Sequence, residues 1–332
     1  MRFGVFCTYE NPRGDYRLCY AAQTELVQRA EALDFDEAWV AEHHFDPDAA
    51  SPSILTLLAY LAGVTTRIRL GSAAVLLAFR NPIQVAEDVA TIDLLSEGRF
   101  NFGVAKGGPF ALQNKHFLAG QDLTRDMTLE ALELVNRLLY EERVTFSGDY
   151  YKADDVALAP KPLQKPIPTY VATTTTAAIE YAARRGFGIM GASPIPLPRI
   201  VQLVADYEAA APGADPRLAL ARFYYGAPTR AAALSEAVPF IRRFSERMRG
   251  IFLARGESVA NFDPDGILER SLIGGFDELR EKIASLHEQT RFRSLLLKPT
   301  SLEADKNLRA LDDFANHIRP FLPAKTKLEQ AS

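Results

Sequence analysis

Short apolar runs alternate with longer amphipathic stretches along the chain. Arg2–Cys7 reads as a strand and Tyr16–Leu33 as a helix, its apolar residues recurring at helical spacing. Glu37–His43 is a second strand and Pro52–Val64 a second helix. Arg69–Leu77 is a third strand; Pro82 opens a third helix to Leu95, and Ser96-Glu97-Gly98 closes it. Proline suits a first helical turn because its missing N–H would be unpaired there anyway. Arg99–Gly107 is a fourth strand and Thr124–Glu142 a fourth helix.

The rhythm breaks over Val144–Pro168, where Phe146-Ser147-Gly148-Asp149-Tyr150-Tyr151 reads as a hairpin turn between two short strands. It resumes with strand Thr169–Thr173, helix Ala177–Arg185, strand Phe187–Ala192, helix Leu197–Ala211, strand Leu218–Tyr225 and helix Arg230–Met248. A less regular stretch around Gly250–Arg270 precedes helix Phe276–Gln289, strand Ser294–Lys298 and a last helix, Leu302–Phe321. Strands separated by helices imply parallel pairing. Eight such units fit a closed (β/α)8 TIM barrel, with insertions after the fourth and seventh helices. An open doubly wound sheet is the competing arrangement. No linker or low-complexity segment divides the chain, so residues 1–332 are expected to form one barrel domain.

Composition agrees. The 332 residues are 48% hydrophobic and 24% charged, an ordinary globular balance, and single α/β barrels commonly reach this size. The net charge of −4 and the lack of an extended basic patch argue against nucleic acid as a partner. No apolar run is long enough to span a membrane, and Met1–Cys7 reads as a strand rather than a signal peptide. Cys7 and Cys19 are too few for a disulfide framework. A cytoplasmic protein is the expectation.

Loops at the carboxyl ends of TIM-barrel strands form the active-site face, so polar chemistry there counts most. The run Ala38–Phe45 ends abruptly in Glu42-His43-His44-Phe45. Successive strand side chains face opposite sides, so His43 and His44 diverge and cannot both bind one metal. No zinc signature occurs either, and no metal site is expected. Lys106, followed by two glycines, sits at the exit of the fourth strand. Thr173-Thr174-Thr175-Thr176 ends a strand and starts a helix. Capping needs only one threonine, so the run favours an anion held by hydroxyls and free N–H groups, with Lys106 balancing its charge. Ser72-Ala73-Ala74 offers only small side chains, which suits a flat ring or plain packing. Gly186-Phe187-Gly188-Ile189-Met190-Gly191 matches the dinucleotide pattern literally, but a helix precedes it and the glycines fall inside a strand. They are expected to let the backbone pass close to a ligand or a packed neighbour.

Together these positions resemble the bacterial luciferase-like flavin monooxygenases over nearly the whole chain. The resemblance rests on Glu42-His43-His44-Phe45, Arg69-Leu70-Gly71-Ser72-Ala73-Ala74-Val75 and Asn81-Pro82-Ile83-Gln84-Val85-Ala86-Glu87-Asp88. It continues through Leu94-Leu95-Ser96-Glu97-Gly98-Arg99-Phe100 to Gly103, then Gly148-Asp149-Tyr150-Tyr151 and Pro160-Lys161-Pro162. It implies a monooxygenase that uses reduced FMN and O2, through a flavin C4a-peroxide, to oxygenate a small organic substrate. His43 matches the family histidine at the flavin, tied to peroxide formation and proton transfer. Ala73-Ala74 matches a pair joined by a cis peptide beneath the flavin ring. Lys106 falls where luciferase has an arginine on the FMN phosphate, and Thr173 and Thr174 where it has a Glu-Ser pair on the same group.

The chain departs from luciferase in two places. Ala105 replaces a reactive cysteine, which bears on light emission rather than flavin use. Lys106 keeps the charge but loses the bidentate fork. With no nicotinamide fingerprint, reduced FMN is expected from a separate NAD(P)H-flavin reductase. Family members commonly pair through the helices near Pro82–Leu95, so a homodimer is expected. Two alternatives stand beside this reading. One is a deazaflavin-dependent oxidoreductase of the same fold. The other is a non-catalytic subunit like the luciferase partner chain, against which the retained His43 argues.

Overall fold

The computed structural model describes residues 1–108, 110–117 and 125–323. Eight parallel strands form its centre: β1 (Arg2–Cys7), β2 (Glu37–Val40), β3 (Arg69–Ser72), β4 (Phe100–Ala105), β5 (Thr169–Ala172), β6 (Gly188–Gly191), β7 (Ala219–Ala227) and β8 (Ser294–Pro299). They hydrogen-bond in the order β7-β8-β1-β2-β3-β4-β5-β6, and β6 pairs back onto β7 through Ala219↔Met190 and Leu220↔Gly191. The sheet therefore closes into the expected barrel, and the open sheet is excluded.

Local chemistry sets where the helices start. Asp15 accepts from the backbone N–H of Arg17 and Leu18 and opens helix Tyr16–Ala32. Asn81 accepts from the N–H of Ile83 ahead of Pro82, which opens helix Pro82–Leu95. Thr229 caps helix Arg230–Leu253. The fourth long helix runs Arg125–Tyr140; Thr124, its expected first residue, lies outside the described residues, as do 324–332.

The strands bury two cores, one on each face. Val5, Ala38, Val40, Leu295 and Leu297 face outward against the helices. Trp39, Tyr170, Met190, Ala219, Ala221 and Leu296 fill the lumen, with Phe6, Ala73 and Ala172 packed on them. Trp39 and Tyr170 meet edge to face at 5.0 Å between ring centroids. Two glycines give them room. A Cβ at Gly71 would stand 2.2 Å from the Trp39 ring, and one at Gly188 would stand 2.4 Å from the Tyr170 ring. Of the false dinucleotide pattern, Gly188 and Gly191 thus serve packing, while Gly186, with a positive φ and open space around it, serves the turn before the strand.

Several elements differ from expectation. The third strand does not run unbroken to Leu77. It stops at Ser72, passes through a cis peptide between Ala73 and Ala74, and rejoins the sheet as Val75–Leu76 beside β4. The second strand stops at Val40, so His43 lies in the loop beyond it. Both predicted insertions exist. One is an antiparallel pair, Val144–Ser147 with Lys152–Val156. The other holds helix Pro264–Arg270 and an unexpected strand, Leu272–Gly275, which pairs with Tyr224–Ala227 of β7. The neighbouring β7 edge holds these residues extended. A short helix, Ala111–Phe117, was also not expected. The last helix is Ala304–Asp313; a wide turn over Phe314–Ile318 and a tight one at Arg319–Phe321 follow, where Pro320 cannot continue a helix. Among the described residues no helix is long and apolar enough to cross a membrane.

Candidate active site

The carboxyl ends of β1 to β5 and β8 form one rim, and every candidate residue lies on it. In lateral register, Leu76 sits beside Ala105 and Ala105 beside Ala172. Lys106 and Thr173 each follow one residue later, so they leave adjacent strands together. Ala73-Ala74 lies just before Leu76 on the neighbouring strand. His43 follows β2, on the far side of that pair.

The alanine pair is held in place by groups around it. Ser72 Oγ donates to the carbonyl of Gly103 and accepts from its N–H, both at 2.8 Å. A Cβ at Gly103 would lie 2.0 Å from the Ser72 carbonyl oxygen, so only glycine allows this approach. Ala73 N–H donates to Val40 O at 2.7 Å. Glu42, buried, then clips the following loop: it accepts from Leu76 N–H at 3.1 Å and Arg80 Nη2 at 2.8 Å, and meets His44 Nε2 at 2.6 Å. Sequence reasoning quoted Glu42 only as part of a motif. Its one signal was an acidic residue directly after an apolar strand.

The two histidines part, although β2 ends at Val40 and strand alternation does not govern them. His44 turns to Glu42 and packs edge-on against Phe117 at 4.8 Å. His43 has the parity of Trp39, which faces the lumen. Its ring lies 6.2 Å from that of Phe110, and its backbone N–H donates to Ser51 O at 3.2 Å. Burial pushes its pKa down to about 4, and the charges of Arg247 and Lys298 push the same way against Glu10 and Glu42. At neutral pH His43 is therefore an uncharged imidazole, able to accept a proton and reluctant to keep it.

The charges that tune His43 were missed from the sequence. Glu10, at the exit of β1, accepts from Lys298 Nζ at 2.8 Å and Thr8 Oγ at 2.9 Å. Arg247 stands 3.9 Å from Glu10 and 3.6 Å from Asp46. Burial opposes ionisation of Glu10, but Lys298 and Arg247 outweigh it and hold its pKa below the usual value. Lys298 lies among the rings of Phe223, Phe240 and Phe244, 5.1 to 5.4 Å from their centroids. A lysine ending the run Leu295-Leu296-Leu297 was the readable hint. Glu10, Arg247 and Lys298 line a cavity of about 190 Å³ with Phe6, Thr8 and Phe244.

At the other side of the rim, Lys106 is exposed and helix Thr176–Arg184 points its amino end outward. First-turn N–H groups of a helix have no partners within it. The Thr173 hydroxyl accepts from Thr175 N–H at 3.1 Å, so it shapes the turn. The Thr174 carbonyl accepts from Arg199, which adds a second cation beside the helix end. A cation pair around free N–H groups fits a phosphate. The small floor of Ala73, Ala74 and Ala172 over the Trp39–Tyr170 layer fits a flat ring. Among the described residues no cluster of three His, Cys, Asp or Glu can hold a metal.

The profile of one family, described as luciferase-like monooxygenase, matches residues 1–292. The chain is 31% identical over 195 residues to the alkanal monooxygenase alpha chain of the Kryptophanaron alfredi symbiont, covering 57% of this chain and 54% of that one. It is 34% identical over 172 residues to the F420-dependent glucose-6-phosphate dehydrogenase of Kineococcus radiotolerans, covering 49% and 50%. The matched region thus spans about half the length of these curated relatives. In structure it superposes on monooxygenase RslO1 from Streptomyces bottropensis with a TM-score of 0.86 and 25% identity, covering 96% of this chain and 99% of that one.

Proposed function

The chain belongs to the luciferase-like monooxygenase family, and from that premise we propose that it uses reduced FMN and O2 to oxygenate a small organic substrate at the barrel mouth. One observation carries the reading. The register of Leu76, Ala105 and Ala172 sets the small-residue floor of Ala73-Ala74 beside the cationic rim of Lys106 and Thr173-Thr174, with His43 across the mouth. Lys106, with the Thr174 hydroxyl and the first-turn N–H groups of helix Thr176–Arg184, would hold the phosphate. Ala73 and Ala74 admit the ring system. Reduced FMN supplies the electrons that activate O2. Neutral His43 takes up or returns a proton at a ring nitrogen, and the apolar layer of Phe6, Trp39 and Met190 keeps water from below. The whole chain works as one barrel domain, a separate NAD(P)H-flavin reductase supplies the cofactor, and two copies pair through helix Pro82–Leu95. Exposed Tyr60, Leu94 and Leu95 support that last point.

The similarity to an F420-dependent dehydrogenase supports a second reading, hydride transfer with a deazaflavin and no O2. Anaerobic titration with reduced FMN and reduced F420, followed by 18O2 and a panel of ketones, aldehydes and aromatics, separates them. Tighter FMN binding and label in a product are expected. Tighter F420 binding without O2 uptake overturns the proposal, as does failure to bind either. A monomeric mass in solution refutes the pairing.

A further inference from the structure

On the flank of the barrel a second cavity, of about 360 Å³, lies between the start of helix Leu197–Ala210, helix Pro264–Arg270 and helix Phe276–Thr290. Ala221 faces the lumen, so Arg222 faces outward and forms part of this cavity's wall. Arg222 is 1% exposed. Its Nη1 donates to the carbonyls of Ala221 at 3.0 Å and Ala192 at 3.3 Å, while Nη2 is buried with no partner. The one charge acting on it is a second cation, Arg270, and with burial this pushes its pKa down to about 10. Arg270 lines the same cavity, donates to Asn261 O and leaves its own Nε buried and unpaired. Lys282 stands on the wall too, its nearest carboxylate 3.8 Å away on Glu278.

Burying a guanidinium beside a second cation is costly: Arg222 gives up hydration with no carboxylate acting on it, while Asp263 and Glu269 act on Arg270. Low-dielectric walls focus their field into the open space. Leu197, Leu272 and Leu286 give that space an apolar side, and Glu269, Ser271, Ser285 and Gln289 also stand on its wall. We infer that this cavity is a binding site, separate from the mouth, for a small organic oxyanion whose charged end meets Arg222 and Arg270 and whose apolar end lies on the leucines.

The test is calorimetric titration of the full chain with phenyl phosphate, benzoate and inorganic phosphate, each at matched ionic strength against chloride. Lys106→Ala separates this site from the mouth, where inorganic phosphate is also expected to bind. Saturable 1:1 binding of phenyl phosphate or benzoate is expected to survive Lys106→Ala. It should weaken about tenfold in Arg222→Met, the loss of a hydrogen bond to a charged group. Arg270→Gln, at a half-buried helix end, repeats the test if Arg222→Met does not fold. The organic probe that binds more tightly assigns the head group, and either should exceed inorganic phosphate. The inference fails if no probe binds saturably in the millimolar range, or if the arginine variants bind as the parent does. It also fails if Lys106→Ala alone abolishes binding. Reduced FMN affinity should be unchanged in both arginine variants, so failure here leaves the proposed function standing.

Discussion

Replacing His43 with glutamine asks whether burial, reinforced by Arg247 and Lys298, keeps this ring uncharged. In the unfolded chain the imidazole takes up its proton near pH 6.5; in the folded protein it resists until about pH 4. Between those values the unfolded state binds more protons, so stability falls as pH falls through that window and is fully present above it. At pH 5 the solution lies about 1.5 below the unfolded pKa, and each pH step costs about 1.4 kcal/mol, so the native state loses about 2 kcal/mol relative to neutral pH. Glutamine does not titrate. Urea denaturation of both proteins at pH 7 and pH 5 should therefore show the parent losing about 2 kcal/mol more than His43→Gln. The other four histidines are common to both proteins. An equal loss in the two proteins, or an NMR titration midpoint for His43 near 6.5, refutes the account.

Other parts of the rim make separate predictions. Gly103→Ala forces a methyl onto the Ser72 carbonyl oxygen and should cost about 3 kcal/mol in urea denaturation, since two backbones must part. A loss under about 0.5 kcal/mol would show that β3 and β4 separate freely. Glu42→Gln leaves Arg80 without its carboxylate and should also cost about 3 kcal/mol. A parent-like denaturation midpoint would deny it the role of clip. Lys106→Ala, at an exposed position, should leave stability unchanged while weakening reduced FMN binding about tenfold or more, with Lys106→Arg retaining it. Equal FMN affinity in all three proteins would remove Lys106 from the site.

Much of the barrel was legible because its information is local. Apolar runs of strand length, helical spacing between them, and start signals such as Asn81-Pro82 determined the alternation of elements and thus the parallel sheet. His43 and His44 do part, but they lie beyond Val40, where the strand ends, and contacts with Glu42 and Phe117 rather than period-two alternation turn His44 away. Where sequence reasoning failed, the cause lay with a distant partner. Leu272–Gly275 extends only because β7 offers an edge. The third strand breaks at Ala73-Ala74, where Gly103 brings a carbonyl and an N–H to the Ser72 hydroxyl.

The site divides the same way. That His43, Ala73-Ala74, Lys106 and Thr173-Thr174 share one rim follows from each being at a strand's carboxyl end, which the sequence by itself determined. That Lys106 and Thr173 leave side by side depends on register between strands more than sixty residues apart, and only the pairing of those strands decided it. The charge state of His43 depends on Glu10, Arg247 and Lys298, and the lone charge of Arg222 on Arg270. Electrostatic energy depends on distance and burial, which the folded chain alone sets.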